Sequence, residues 1–224
     1  IIICLLIGKL FRLSQNTSLL LGIGNGICGS AAIAGASKIL ESKKEEIGIS
    51  IAVINALGAL CIIVIPLVVN FSPLFDNNQL GLIIGSTVQA FGQVTATGFI
   101  INEDVGQTAT VIKMIRILML GPVLVILTVL YSSKNRKKNK NTLLSIPPFI
   151  IGFIILCVFA NYELIPSKLL YILKELSKYC LLFAMAAIGL NVSLKSIIDK
   201  GYKVFIVATI TFLIQIILAI YLLS

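Results

Sequence analysis

Residues 24–37 read GNGICGSAAIAGAS: four glycines, with alanine, serine and one asparagine, set inside a chain otherwise built of Leu and Ile. Glycine costs a helix interior about 1 kcal/mol relative to alanine, so such a cluster signals backbone that unwinds or packs very closely. Neither a soluble core nor a plain membrane anchor has a use for it.

The surrounding composition fixes the solvent. Of 224 residues, 58% are hydrophobic and 12% charged, with no Trp and no His, and the mean hydropathy is +1.07, far from the range of soluble domains. Apolar runs recur at about residues 1–11, 17–37, 47–69, 79–101, 106–131, 146–162, 168–190 and 202–223, most of them near the roughly 20 residues a spanning helix needs. The runs are continuous rather than alternating, so the expected fold is all-α, a polytopic membrane helix bundle and not a barrel. We expect a single transmembrane domain over 1–224 that lacks its N-terminal helices, because the first run starts without Met and is only half the length of a span.

The formal charge is +9, but the basic residues sit at segment ends, and five crowd into SSKNRKKNKN (132–141). That is the pattern of a cytoplasmic loop and not of a nucleic-acid binder. Fixing this loop inside puts Glu103 and Asp104 outside and Lys195, Lys200 and Lys203 inside. Upstream, two geometries compete. If 17–37 and 79–101 both cross, Lys38, Lys43 and Lys44 fall outside, against the rule; if both dip in and return, they fall inside. The five cysteines lie in apolar runs without ligand spacing and read as packing residues.

A repeat supports pairing the two segments. EEIGISIAVI (45–54) and EDVGQTATVI (103–112) share an acidic pair, Gly and a closing Val-Ile, and each follows a Gly-rich run, the second being GSTVQAFGQVTATG (85–98). Paired interrupted segments in an inverted repeat are the mark of a transporter's midplane site. Candidate residues for binding a small anion are Asn25, Gly26, Gly29 and Ser30 in the first run, where loosened N–H groups at a half-helix start attract anions. Ser37 offers a further polar partner. Gln89, Gln93 and Thr95 in the second run must find partners because lipid offers none. Lys113 and Arg116 stand three apart on one helix face inside a span, where a charged group faces a cavity or a partner. The bland alternatives are small-residue packing through Gly22, Gly26 and Ser30, interhelical bonds by the glutamines, and pairing of the two basic residues with Glu103 and Asp104. Lys174, Glu175 and Lys178 read as interfacial, and Asn191 as a weaker polar candidate. Gly24, Gly26 and Gly29 also spell GxGxxG, but without a preceding strand this is no dinucleotide motif.

GNGICGSAAIAGAS, GSTVQAFGQVTATG, VIKMIRILMLGPVLVIL (111–127) and LLFAMAAIGLNVSLKSIIDKG (181–201) together resemble, in order, the motifs of the YeiH family of bacterial inner-membrane proteins, a family linked by name to sulfate export. The resemblance implies a multi-pass inner-membrane protein related to the bile-acid symporter and sodium/proton antiporter folds. It also implies secondary transport: export or exchange of a small anion, sulfate or a sulfur-containing acid, by alternating access with a coupling ion. No cofactor and no metal site is expected. The family's Ser-x-Cys-Gly pattern falls on Gly26, Cys28 and Gly29, with Gly26 in the place of Ser, and its Lys and Arg match Lys113 and Arg116. Where relatives read His-Glu, this chain has Gln89 and Ala90, which removes the natural proton carriers and points to another ion or another substrate. An ion channel or a non-transporting scaffold is the alternative reading. An intramembrane enzyme lacks its His or paired Asp.

Overall fold

The structure is a computed structural model that describes residues 1–71, 75–132 and 201–223, together with scattered positions between 155 and 183. The basic loop at 133–141, most of the runs at 146–162 and 168–190, and the candidates Lys174, Lys178 and Asn191 lie outside the described residues.

Every described element is helical, in keeping with a backbone that must satisfy its own polar groups in lipid. In order these are α1 (Ile2–Leu10), α2 (Gln15–Gly26), α3 (Ser30–Ile39), α4 (Lys44–Phe71), α5 (Asn77–Thr87), α6 (Phe91–Ile101), α7 (Glu103–Leu118), α8 (Leu120–Ser132) and α9 (Tyr202–Leu223). Among the described residues three helical stretches are long and apolar enough to span: α4, the joined α7–α8 over Glu103–Tyr131, and α9. Starts are set by polar caps. Ser14 Oγ accepts from Thr17 N–H at 3.1 Å, Asp76 and Gln79 form a reciprocal capping box, and Asn102 Oδ1 accepts from Val105 N–H at 2.9 Å, each satisfying an otherwise orphaned first-turn amide. Between α7 and α8 the cause is Pro122, which has no N–H for Leu118 O; the chain tightens there, with Met119 N–H donating to Arg116 O at 3.2 Å.

Neither Gly-rich segment crosses the membrane; both dip in and return. Asn16, at the start of α2, donates to Leu40 O, at the end of α3, at 3.2 Å. A straight run of that length would hold these residues roughly 36 Å apart. In the second segment Asn102 Nδ2, at the end of α6, donates to Asn77 Oδ1, at the start of α5, at 3.0 Å. Thus α2–α3 and α5–α6 are re-entrant hairpins, and two of the eight expected membrane runs are not spans.

The hairpins enter from opposite faces. On one face Ser14 Oγ meets Glu46 at 2.5 Å and Gln15 meets the Tyr131 hydroxyl at 3.1 Å, so the openings of α2 and α4 and the end of α8 lie together with Lys9, Arg12, Lys38, Lys43 and Lys44. On the other, Asn77 reaches Asp104 at 3.5 Å, and the links 75–79 and 102–104 carry Asp76, Glu103 and Asp104 but no Lys or Arg. By the positive-inside rule the first face is cytoplasmic. Each hairpin leads into a spanning helix, α4 or α7, that opens with one copy of the sequence repeat. The repeat is therefore inverted in space.

Close packing seats the second hairpin on α7. A Cβ on Gly85 would stand 2.6 Å from Ala109 O, and one on Gly98 2.8 Å from Gly106 Cα. Cys4, Cys28 and Cys61 are buried free thiols, as packing residues should be, whereas Cys180 is exposed, against that reading, and Cys157 lies outside the described residues.

Candidate functional site

The two hairpins meet tip to tip. In the first, α2 ends at Gly26, and Gly29 adopts φ +73°, ψ −128° before α3 begins, a left-handed backbone that glycine alone adopts readily. In the second, Val88 and Ala90 are extended between α5 and α6. A Cβ on Gly29 would lie 3.6 Å from Gln89 Cβ, so the breaks touch.

Four half-helix ends therefore converge: the carbonyl ends of α2 and α5 and the amide ends of α3 and α6. Helix C-termini leave carbonyls unpaired and carry partial negative charge. Here the two basic residues of α7 close them. Lys113, with no exposed surface, donates through Nζ to Ile27 O at 2.7 Å and to Val88 O at 2.9 Å. Arg116 donates through Nε to Gly26 O at 2.8 Å, through Nη1 to Val88 O at 3.0 Å, and through Nη2 to Asn25 O. The spacing of three that put both on one face of α7 lets them bridge the hairpins, and neither pairs with Glu103 or Asp104.

The amide ends are treated differently. Neither α3 nor α6 receives a side-chain bond from its N-cap residue, Gly29 or Ala90. Their first backbone bonds are Ile33 N–H to Gly29 O and Val94 N–H to Ala90 O, so the amides of the first turns project beyond the ladder. The Cys28 thiol, a weak acceptor, lies against Ala32 N–H. Ser30, Phe91 and Gly92 at these ends are half-exposed and Ala31 is exposed.

Side-chain amides tie the tips together. Asn25 Nδ2 donates to Ala208 O of α9 at 3.1 Å, and Asn25 Oδ1 accepts from Gln89 Nε2 at 3.1 Å. Gln93 is held at both ends, accepting from Ala90 N–H and donating to Asn55 O, each at 3.1 Å; a Cβ on Gly58 would collide with its amide. Gln89 Oε1 and Asn55 Oδ1 are buried without a partner among the described residues.

Of the residues expected from sequence, Asn25, Gly26, Gly29, Gln89, Lys113 and Arg116 share this junction, and Ser30 opens α3 beside it. Gln93 braces the second break. Thr95 lies one turn into α6 and donates to Phe91 O and Gly92 O, at 3.2 and 3.0 Å, while Ser37 donates within α3 to Ala34 O at 2.9 Å. Gly22 packs against α1, where a Cβ would meet Ile1 Cα at 3.0 Å, so the small-residue reading holds at that position. Sequence reasoning missed Ala208 and Asn55. A backbone carbonyl leaves no trace in a sequence, but Asn55 follows its copy of the repeat at the offset at which Lys113 follows the other.

The family described as Conserved hypothetical protein 698 matches residues 1–208. A UPF0324 membrane protein of Bartonella henselae is 36% identical over 215 residues, covering 96% of this chain and 61% of its own length. The UPF0324 membrane protein YdhF of Lactococcus lactis is 34% identical over 236 residues, covering all of this chain and 70% of its own length. The UPF0324 inner membrane protein YeiH of Escherichia coli K12 is 32% identical over 214 residues, covering 93% of this chain and 60% of its own length.

This chain belongs to the UPF0324 family, the family of YeiH.

As a UPF0324 protein it is an all-α, multi-pass membrane protein, and the resemblance read from its motifs is met. The chain spans about 60% of the Bartonella and Escherichia relatives. No solved structure matches it.

Proposed function

We propose that this UPF0324 protein is a secondary transporter of a small anion, which it binds where the amide ends of α3 and α6 converge. One observation carries the reading: the buried Lys113 and the half-buried Arg116 sit on the carbonyl ends of the junction, while the first turns of α3 and α6 receive no bond from an N-cap side chain. Paired half-helix N-termini at the middle of an inverted repeat form an anion site. Lys113 and Arg116 then act twice. They cancel the negative ends that would repel an anion, and they fix the tips so that the amides point together.

Hairpins entering from opposite faces suit alternating access, since either tip can withdraw toward its own side while the other stays closed. In the arrangement described here Asn25, Gln89, Gln93 and Lys113 are buried, while Ser30, Ala31, Phe91 and Gly92 at the amide ends stay open. The resemblance to the bile-acid symporter and sodium/proton antiporter folds supports the same mechanism, and the family's naming supports sulfate or a sulfur-containing acid as cargo. With Gln89 and Ala90 where relatives read His-Glu, coupling runs through an ion or group other than a proton carried at these two positions.

The test is anion uptake by the full-length protein in proteoliposomes. Lys113→Gln and Arg116→Gln each lower uptake about tenfold or more, the effect of a lost charge-assisted hydrogen bond at a buried site, while the protein stays folded by gel filtration. Unchanged uptake overturns the assignment. A unitary current across a planar bilayer would instead identify a channel.

A further inference from the structure

The junction contains an atom whose chemistry is fixed by its neighbours. Side-chain amides are ordinarily ambiguous, because their O and N are assigned from the hydrogen-bond network. Here the network starts at an atom that can only accept, the carbonyl oxygen of Ala208 on α9. Asn25 must therefore turn its Nδ2 toward it, at 3.1 Å, which leaves Asn25 Oδ1 facing the second hairpin. Gln89 must answer with Nε2, also at 3.1 Å, and its Oε1 is left over. That oxygen is buried and has no partner among the described residues, in a residue with no exposed surface. A buried acceptor left unmade is costly, and a native fold that keeps one has a use for it.

We propose that Gln89 Oε1 is a selectivity position that reads a hydrogen-bond donor on the transported anion. The site then prefers an oxyanion that brings its own O–H or N–H over one that can only accept, such as sulfate. This rests on the anion reading given above and, of the two cargoes named there, disfavours sulfate and favours an acid that carries its own donor.

Two ligand chemistries satisfy a lone amide oxygen, a donor hydrogen and a metal cation, and the surroundings choose between them. Val88, next in sequence, has its carbonyl held by both Lys113 and Arg116, and the amide ends of α3 and α6 adjoin the same break. A free cation is repelled by such neighbours, whereas an anion is held by them and can turn a hydroxyl toward Gln89. A site built to bond a substrate hydroxyl discriminates strongly against the analogue lacking it, because the protein group is then left unpaired.

The experiment uses purified full-length protein and matched anion pairs at about pH 8, read as ligand-dependent thermal stabilisation. Hydrogen phosphate is compared with sulfate, equal in shape and charge and differing by one O–H, and 2-hydroxyethanesulfonate with ethanesulfonate. The donor-bearing member of a pair should bind about tenfold more tightly, and Gln89→Leu should bring the two members to parity. The wild-type comparison decides even where the variant fails to fold. If both members of each pair bind equally well, the selectivity role of Gln89 is overturned while the anion site stands. If no anion stabilises the protein, the anion reading falls and this one with it. If sodium chloride stabilises the wild type relative to choline chloride, and Gln89→Leu abolishes that gain, the oxygen belongs to a cation and the proposal is wrong.

Discussion

At Gly29 a single residue sets the geometry of the junction. Its φ of +73° with ψ of −128° is a conformation that costs other residues about 1–3 kcal/mol. The space around it is ordinary, since an added Cβ would lie 3.6 Å from its nearest neighbours. Gly29→Ala is therefore expected to lower the unfolding temperature in detergent through backbone strain rather than crowding. Gly48→Ala is the control: nothing stands within 4 Å of that position, it lies in helix α4, and the change should leave stability equal or raise it by up to about 1 kcal/mol. Loosened backbone was legible from the glycine cluster alone. The partners of Lys113 and Arg116 were not, because a basic residue inside a span meets its need for acceptors equally well with a ligand, a carboxylate or main-chain carbonyls. Only the meeting of two helix ends, distant in sequence, selects the carbonyls.

Element lengths misled where single residues did not. Runs of about 20 apolar residues have the length of a span, yet 17–37 and 79–101 each divide into two half-length helices. The first break is written in glycine. The second falls at Val88–Ala90, with Gly85 and Gly92 only flanking it, and its signal is the polar Gln89 and Gln93 in an apolar run. The inverted repeat was legible because both copies open a spanning helix at the membrane face, where an acidic pair suits the helix N-terminus. It is an unequal repeat: Asn55 stands at the offset of Lys113, so one α-helix following a hairpin carries a cationic bridge and the other a neutral amide. The second hairpin is also the more tightly seated. Gly85→Ala would drive a methyl group to 2.6 Å from Ala109 O and 2.7 Å from Ile112 Cβ. Since both neighbours belong to α7 and the nearer is backbone, α5 must shift as a whole. We expect a loss of about 1–3 kcal/mol, read as a lower midpoint of thermal unfolding in detergent, and unchanged unfolding would mean that α5 and α7 do not pack as described.

Across the whole molecule, charge and topology agree. Five basic residues, Lys9, Arg12, Lys38, Lys43 and Lys44, gather at the face where α2 and α4 begin, and Asp76, Glu103 and Asp104 at the other. In a cysteine-free background Lys43→Cys should resist a membrane-impermeant maleimide in intact cells and react after permeabilisation. Asn78→Cys should react in both. Labelling of Lys43→Cys in intact cells with protection of Asn78→Cys would refute the paired re-entrant arrangement, because segments that cross exchange the sides of the two links joined by α4. The sequence left crossing and returning segments as rival geometries, and the Asn16–Leu40 and Asn77–Asn102 bonds, between residues more than 20 positions apart, choose the second. Those same bonds root each hairpin in one leaflet only. How far the tips overlap is then set by the distance between the two headgroup layers, so lipid acyl-chain length presses Asn25 and Gln89 together in a thin bilayer and draws them apart in a thick one.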